Sequence, residues 1–346
     1  MFFILFYIIV AVLCYNIYKE GDNVTLLEKL ISNIVVHPEQ GYALYCYNNG
    51  EIVEKVNGKT KESNSDDISF VSNFRLASVT KQFIAFGIVR LINKGLLSYD
   101  TIIKELYPEL PDYFNKITIK NLLNHTSGIY NYEDIPHKED DPQIQDDDII
   151  PFLEKTDGTY FETNTIYRYS NTAYVLLGLI IKKISKMSLG DYYDLIFKEA
   201  GMNNSIVNYQ GITDVKNRAY GHLLNEQNEL YVKDQYWCSA TIGDGGLYSS
   251  VNDLKKWCKY LFESNEFKDM RVPNPLKSDD TTAYGLGIRV ININGKELFY
   301  HCGSTIGTST IVIFSKDFNF CLIFLSNLGN INTSGIKENV LKLLSN

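Results

Sequence analysis

Cysteine and histidine are scarce in this sequence of 346 residues, and neither is arranged for metal binding. The cysteines outside the N-terminal apolar run, Cys46, Cys238, Cys258, Cys302 and Cys321, are odd in number, far apart and free of any C-x-x-C pair. That pattern argues against a disulfide framework. The five histidines stand singly, with no H-x-H or H-E-x-x-H, so a metal centre has no support. Positive charge is also short: 33 Lys and Arg face 41 Asp and Glu, giving a net charge of -8, and no basic stripe exists to bind nucleic acid. No G-x-S-x-G occurs, which disfavours an α/β-hydrolase elbow. The Gly243 to Gly246 cluster is followed by no G-K-[ST], so it reads as a tight turn and not a phosphate loop. There is no internal repeat.

What the chain does have is 45% hydrophobic residues, ample for one large domain or two smaller ones. Phe2 to Tyr15 is nearly all apolar and ends in a polar break at Lys19 to Asn23. As a helix, about 14 residues reach roughly 21 Å, short of the ~30 Å of a bilayer core. With Asn16 to Tyr18 at the interface, residues 2–18 fit a signal segment or a short anchor. No Lys or Arg precedes the run and no small-x-small cleavage site follows it. The expectation is therefore a membrane-anchored or secreted body, with residues 1–20 as the anchor or signal and residues 21–346 as the body.

Helical spacing of Leu26, Leu27, Leu30, Ile31 and Ile34 predicts an amphipathic helix over 24–35. Gly41 to Tyr47 and Glu51 to Val56 flank Asn48-Asn49-Gly50 and predict a β-hairpin. A helix opens at Ala77 or Ser78 and runs to about Gly95; another begins at Thr118 as N-cap and stops at Gly128. Tyr130 to Asp148 is acidic, lacks the Gly and terminal Glu of an EF-hand, and reads as a solvated loop that can border a cleft. Helices follow over Asn171 to Ser185, Leu189 to Ala200 and Val251 to Phe262. Strands are expected at Tyr284 to Ile293, Glu297 to His301, Thr308 to Phe314 and Phe320 to Ser326, and a helix at Ile336 to Leu344. Strands at both ends with helices between them predict an α/β (α+β) fold. An antiparallel sheet built from both termini, about 33–75 and 240–346, is flanked by helices and carries an inserted, mostly helical part, about 80–239.

Ser78 and Lys81 are three residues apart, so on a helix they share a face and can touch. A serine hydroxyl needs a neighbouring base, and lysine serves when burial or a second cation lowers its pKa. Three later residues can join them. A Tyr169 phenol can relay a proton if nearby cations lower its pKa, and the Asn171 amide can hold a substrate carbonyl or Lys81. His301 ends a strand whose Gly303 would let a substrate approach the backbone, and the N–H of Ser304 with that of Ser78 can form an oxyanion hole. Such donors are worth about 2.7–4 kcal/mol each in the best-studied case.

In order and spacing, Ser78-x-x-Lys81, Tyr169-Ser170-Asn171 and His301-Cys302-Gly303 resemble the serine β-lactamase and penicillin-binding-protein superfamily. The branch they look most like holds class C β-lactamases, D,D-peptidases and esterases. Leu122 to Gly128 looks like its L-L-x-H-T-S-G segment, Tyr174 to Gly178 its Y-x-L-L-G helix, and Gly245 to Trp257 its G-G-L-x-S-x-x-D-L-x-x-W stretch. The resemblance implies Ser78 as acylated nucleophile, Lys81 as its base and Tyr169 as relay, with either of the last two taking the first proton. Asn171, His301, Gly303 and Ser304 then form the substrate site, and no cofactor is needed. Two departures bear on substrate. Phe161 to Thr165 replaces the usual Pro-Gly, which should loosen that turn, and His301-Cys302 replaces Lys-Thr, Cys302 being a weak donor to a substrate carboxylate. The resemblance thus implies a hydrolase of a small ester, amide or D-amino-acid peptide more than of β-lactams. The alternative is a catalytically dispensable scaffold that self-associates at a membrane.

Overall fold

Every residue of the last two strands is buried, and the face on which each side chain packs alternates with period two, which sets the layers. Phe320, Leu322 and Phe324 face one apolar cluster, Cys321, Ile323 and Leu325 another. A computed structural model describes residue 30 and residues 34–138, 141–278 and 282–345. The N-terminal apolar run and most of the helix expected over 24–35 lie outside them.

The first half of the chain forms β1 (Tyr42–Asn48), β2 (Glu51–Asn57), β3 (Phe74–Arg75), α1 (Thr80–Asn93), α2 (Ile103–Leu106), α3 (Ile119–Leu123), α4 (Ile149–Glu154), α5 (Asn171–Ser185) and α6 (Leu189–Ala200). Then come β4 (Ile206–Val207), β5 (His222–Leu224), β6 (Leu230–Val232), β7 (Leu247–Ser249), α7 (Val251–Glu263) and α8 (Glu266–Met270). The last stretch holds β8 (Asn274–Ser278), β9 (Thr282–Tyr284), β10 (Arg289–Ile293), β11 (Lys296–Thr305), β12 (Thr308–Ser315), β13 (Phe320–Ser326) and α9 (Thr333–Ser345).

Eight strands make one antiparallel sheet in the order β2-β1-β13-β12-β11-β10-β9-β8. The two ends of the chain meet where Tyr42 lies opposite Ser326 and Asn48 opposite Phe320. Asn49 and Gly50, at φ 48° and 97°, give the hairpin turn its left-handed pair, which is why Asn-Gly serves there. One sheet face packs Phe299, Val312, Phe314 and Ile323 with Phe83, Trp257 and Phe267 of α1, α7 and α8. The other packs Leu44, Ile313 and Phe324 with Ile336, Val340 and Leu344 of α9. A sheet apolar on both faces needs covering on both, hence three layers.

Helix α1 is buried on nearly every side, Thr80 to Val89 throughout. Phe83 stacks on Trp257 at 3.9 Å, and the Trp257 indole N–H donates to Gln82 Oε1 at 3.2 Å, so the one polar atom of that ring is satisfied.

The structure corrects several sequence expectations. A 3-10 turn, Ala77–Val79, precedes α1, so Ser78 sits before the α-helix and not in it. The helix expected to reach Gly128 ends at Leu123. Thr118 and Asn121 cap its start, and His125, at φ 62°, turns the backbone out of the helix. Tyr284 to Ile293 is not one strand. Tyr284, Leu286, Ile288 and Val290 alternate as a strand should, but Gly287 at φ 69° folds residues 285–288 into the turn between β9 and β10. Strand β11 runs on to Thr305, so His301 to Ser304 lie inside it.

Candidate active site

Ser78 is held by a turn anchored from two strands. Leu76 N–H donates to Leu247 O of β7 at 2.8 Å, Thr310 Oγ1 of β12 donates to Leu76 O at 2.9 Å, and Ala77 takes φ 47°, a conformation costly outside glycine. Gly303 of β11 lies against this turn. A Cβ there would sit 2.2 Å from Leu76 O and 2.4 Å from Thr310 Oγ1. The backbone that approaches Gly303 is therefore the nucleophile's own turn, not a substrate as the sequence implied.

Lys81 is fully buried. Its ammonium donates to Ser78 Oγ at 3.1 Å, Asn171 Oδ1 at 2.8 Å and Asp244 O at 2.8 Å, which uses its three N–H groups. Burial pulls its pKa down to about 8, with Arg289 adding to the fall and Asp244 and Glu133 opposing it. Asn171, the first residue of α5, donates its Nδ2 to Glu133 Oε2 at 2.7 Å. Its amide is thus oriented between Lys81 and Glu133, so of the two roles read from sequence it holds the lysine.

Tyr169 lies beneath the lysine, with Lys81 Nζ 5.0 Å from its ring centre. Its ring packs on His125 at 4.3 Å. Burial pushes the phenol well above its ordinary value; the neighbouring Ser78 hydroxyl and the charge of Arg289 offset this only in part. The condition the sequence reading attached to this phenol, a pKa lowered by nearby cations, is not met, because desolvation outweighs one guanidinium. Ser170 N–H donates to His125 Nδ1 at 3.1 Å and Arg168 N–H to His125 O at 2.9 Å, so His125 sets the loop that carries Tyr169. The same loop is tied by Asn164 N–H to Thr126 O at 2.8 Å and Thr163 Oγ1 to Ser127 O at 3.1 Å.

His301 points into the site, by the same parity as Phe299. Its Nδ1–H donates to Cys302 O at 2.7 Å and its Nε2 accepts from Tyr284 Oη at 3.2 Å. Burial, then Arg289 and Lys81, hold it well below the usual histidine range, so it is neutral at pH 7. Cys302 has the parity of Tyr300 and packs on the α9 side, its thiol beside Thr333. It does not face Ser78, and its weakness as a donor has no bearing on the cleft. Strand β10 pairs with β11 only between Lys296 and Tyr300, so from His301 onward that edge of β11 faces no strand among the described residues. Ser304 is exposed there and, with Ser78, lines a recess of about 40 Å³.

The structure therefore gathers Ser78, Lys81, Tyr169, Asn171, His301, Gly303 and Ser304. Sequence reasoning missed Glu133, Asp244, Arg289 and His125 as parts of the site. His125 was visible inside the Leu122 to Gly128 segment. Glu133 was masked by an acidic stretch that reads as solvated, although Tyr132 is buried and Asp146 turns inward to accept from the N–H groups of Ile242 and Gly243 at 2.7 and 3.3 Å. Among the described residues no cluster of three or more His, Cys, Asp or Glu is placed to hold a metal, and no helix is long and apolar enough to cross a membrane.

Comparison with known proteins bears on the family and the fold. The chain is 33% identical over 330 residues to penicillin-binding protein 4* of Bacillus subtilis, covering 89% of this chain and 69% of that protein. The fold is similar to that of an octameric penicillin-binding protein homologue from Pyrococcus abyssi, with a TM-score of 0.77 and 25% identity over 92% of this chain and 75% of that one. It is also similar to that of D-amino acid amidase from Ochrobactrum anthropi SV3, with a TM-score of 0.76 and 23% identity over 91% and 96% of the two chains. The family model that matches is Beta-lactamase, over residues 27–346, and the chain belongs to that family.

Proposed function

We propose that the protein is a serine hydrolase that forms an acyl-enzyme on Ser78 with a small ester, an amide or a D-amino-acid peptide. The observation that carries this reading is the Lys81 Nζ to Ser78 Oγ contact of 3.1 Å, made by a lysine whose pKa is about 8. Neutral Lys81 takes the Ser78 proton as Oγ bonds to the substrate carbonyl carbon. Tyr169, which keeps its proton at pH 7, passes a proton to the leaving group and is refilled from Lys81. Between the two bases left open by the sequence, these opposite shifts favour Lys81. The N–H groups of Ser78 and Ser304 take the oxyanion, and water then cleaves the acyl–Oγ bond to regenerate the serine.

A neutral His301 in place of lysine removes one cation that could meet a β-lactam carboxylate at the end of β11, which supports esters and peptides over β-lactams. The apolar segment before residue 20 supports a membrane-anchored or secreted body. A scaffold role gains nothing from a lysine buried at a desolvation cost beside an intact serine. The test is steady-state hydrolysis of a p-nitrophenyl ester, a D-Ala-D-Ala peptide and a chromogenic cephalosporin by wild type and Ser78→Ala. Turnover of the first two above the third, lost in the variant, is expected; no turnover of any sinks the reading.

A further inference from the structure

The segment 241–246 meets the surroundings of Ser78 at three points. Asp244 O accepts from Lys81 at 2.8 Å, Gly245 O accepts from Arg75 Nε at 3.2 Å, and a Cβ on Gly245 would lie 3.4 Å from Ala77 Cα, so the segment runs along the nucleophile's turn. Its first half is held by one carboxylate. Asp146 Oδ1 accepts from Ile242 N–H at 2.7 Å and Oδ2 from Gly243 N–H at 3.3 Å. Gly243 itself is pressed on α5, where a Cβ would lie 2.6 Å from Tyr174 O. Of the three acids in a row before α4, Asp146 alone turns this way. Asp147 pairs with Lys182 at 3.0 Å, and Asp148 accepts from Gln145 N–H at 2.8 Å.

Resting on the hydrolase reading, we propose that Asp146 is a positioning residue for acylation: by clamping two N–H groups it fixes the Asp244 carbonyl, and that carbonyl aims Lys81 at Ser78. The aim matters most when Lys81 is neutral. A neutral amine keeps two N–H groups and one lone pair. With one N–H on Asn171 Oδ1 and the other on Asp244 O, the lone pair is left for the Ser78 hydroxyl. If the Asp244 carbonyl moves, the amine can rotate and its lone pair leaves the serine. The clamp also keeps its own charge in place. Burial, with Asp244 and Asp147 adding, pushes the Asp146 carboxyl up to about 7, and the two N–H groups pull it back toward the ionised form. A proton on Oδ2 costs only the longer of the two bonds, so Lys81 still sets the pH profile.

The test follows labelling of the full chain by a fluorophosphonate at pH 8.5, reading the limiting rate constant and the half-saturating concentration for wild type, Asp146→Ala, Asp146→Asn and Asp147→Asn. Asp146→Ala is expected to lower the limiting rate constant at least tenfold while the half-saturating concentration changes less than threefold, because the clamp acts on the base and not on the ligand. Asp146→Asn keeps one acceptor oxygen and should lose at least threefold, but less than Asp146→Ala. Asp147→Asn, at the exposed neighbour, should match wild type. A wild-type rate constant in folded Asp146→Ala, or in Asp146→Asn where the alanine variant does not fold, overturns the positioning role and leaves the hydrolase standing. So does an equal loss in Asp147→Asn, or a rise in half-saturating concentration as large as the fall in rate, which marks a disordered site. No labelling of Ser78 in wild type overturns the hydrolase reading, and this inference with it.

Discussion

The acylation of Ser78 should follow the titration of Lys81, and its charged neighbours should move that titration in opposite directions. Lowering a lysine from 10.5 to about 8 means that its surroundings together disfavour its charged form by roughly 3 kcal/mol, burial foremost. At pH 7 the neutral fraction then rises from about 0.03% to about 9%, roughly 300-fold more base than an ordinary lysine offers. The logarithm of the acylation rate constant should climb with unit slope from pH 6 and level off above about pH 8. Arg289 lowers the Lys81 pKa, so Arg289→Gln should shift the curve alkaline. Glu133 raises it, so Glu133→Gln should shift the curve acid, while the glutamine oxygen can still accept from Asn171. The assay is the second-order rate of fluorophosphonate labelling between pH 5.5 and 10.5. A flat profile from pH 6 to 9, an inflection near 10.5, or variants that move the same way would refute the reasoning.

Tyr169→Phe should slow turnover about 100- to 10,000-fold, the usual span for general acid–base groups, with little change in thermal stability, because the Tyr169 hydroxyl makes no hydrogen bond of good geometry. Gly287→Ala should cost about 2–3 kcal/mol in urea unfolding, since the position has φ 69° and a Cβ would lie 2.4 Å from Lys81 O. It should also slow acylation by displacing that lysine; an unchanged urea midpoint would contradict the packing described for the β9–β10 turn. Trp257→Ala should cost about 3–5 kcal/mol and lower Tm, as it empties the stack on Phe83 under α1.

Much of this arrangement was legible in the sequence because local rules carry it. The Asn49-Gly50 turn, the Thr118 cap and the apolar strands β12 and β13 each answer to chemistry within a few residues. Ser78 and Lys81 meet because three residues of 3-10 and α-helix subtend one turn. Other features depend on distant partners and left no local trace. The side Cys302 faces follows from the register of β11, which a strand ending at His301 does not supply. The alternation through Tyr284 to Val290 looks like a strand, and only the approach of Gly287 to Lys81 explains the turn. Glu133 and Asp244 look like ordinary loop acids until Tyr132, Asn171 and the Lys81 ammonium are placed around them. The rise in the Tyr169 pKa is likewise a property of burial among His125, Tyr284 and His301 rather than of its Y-x-N setting.

The central claim is that Ser78 is the residue acylated. Intact-protein and peptide mass spectrometry after exposure to a fluorophosphonate or a penicillin probe reads it directly. A single adduct on the peptide containing Ser78, absent from Ser78→Ala and slowed in Lys81→Met, is the predicted result. An unlabelled wild type at high probe concentration, or an adduct that survives in Ser78→Ala, would contradict it.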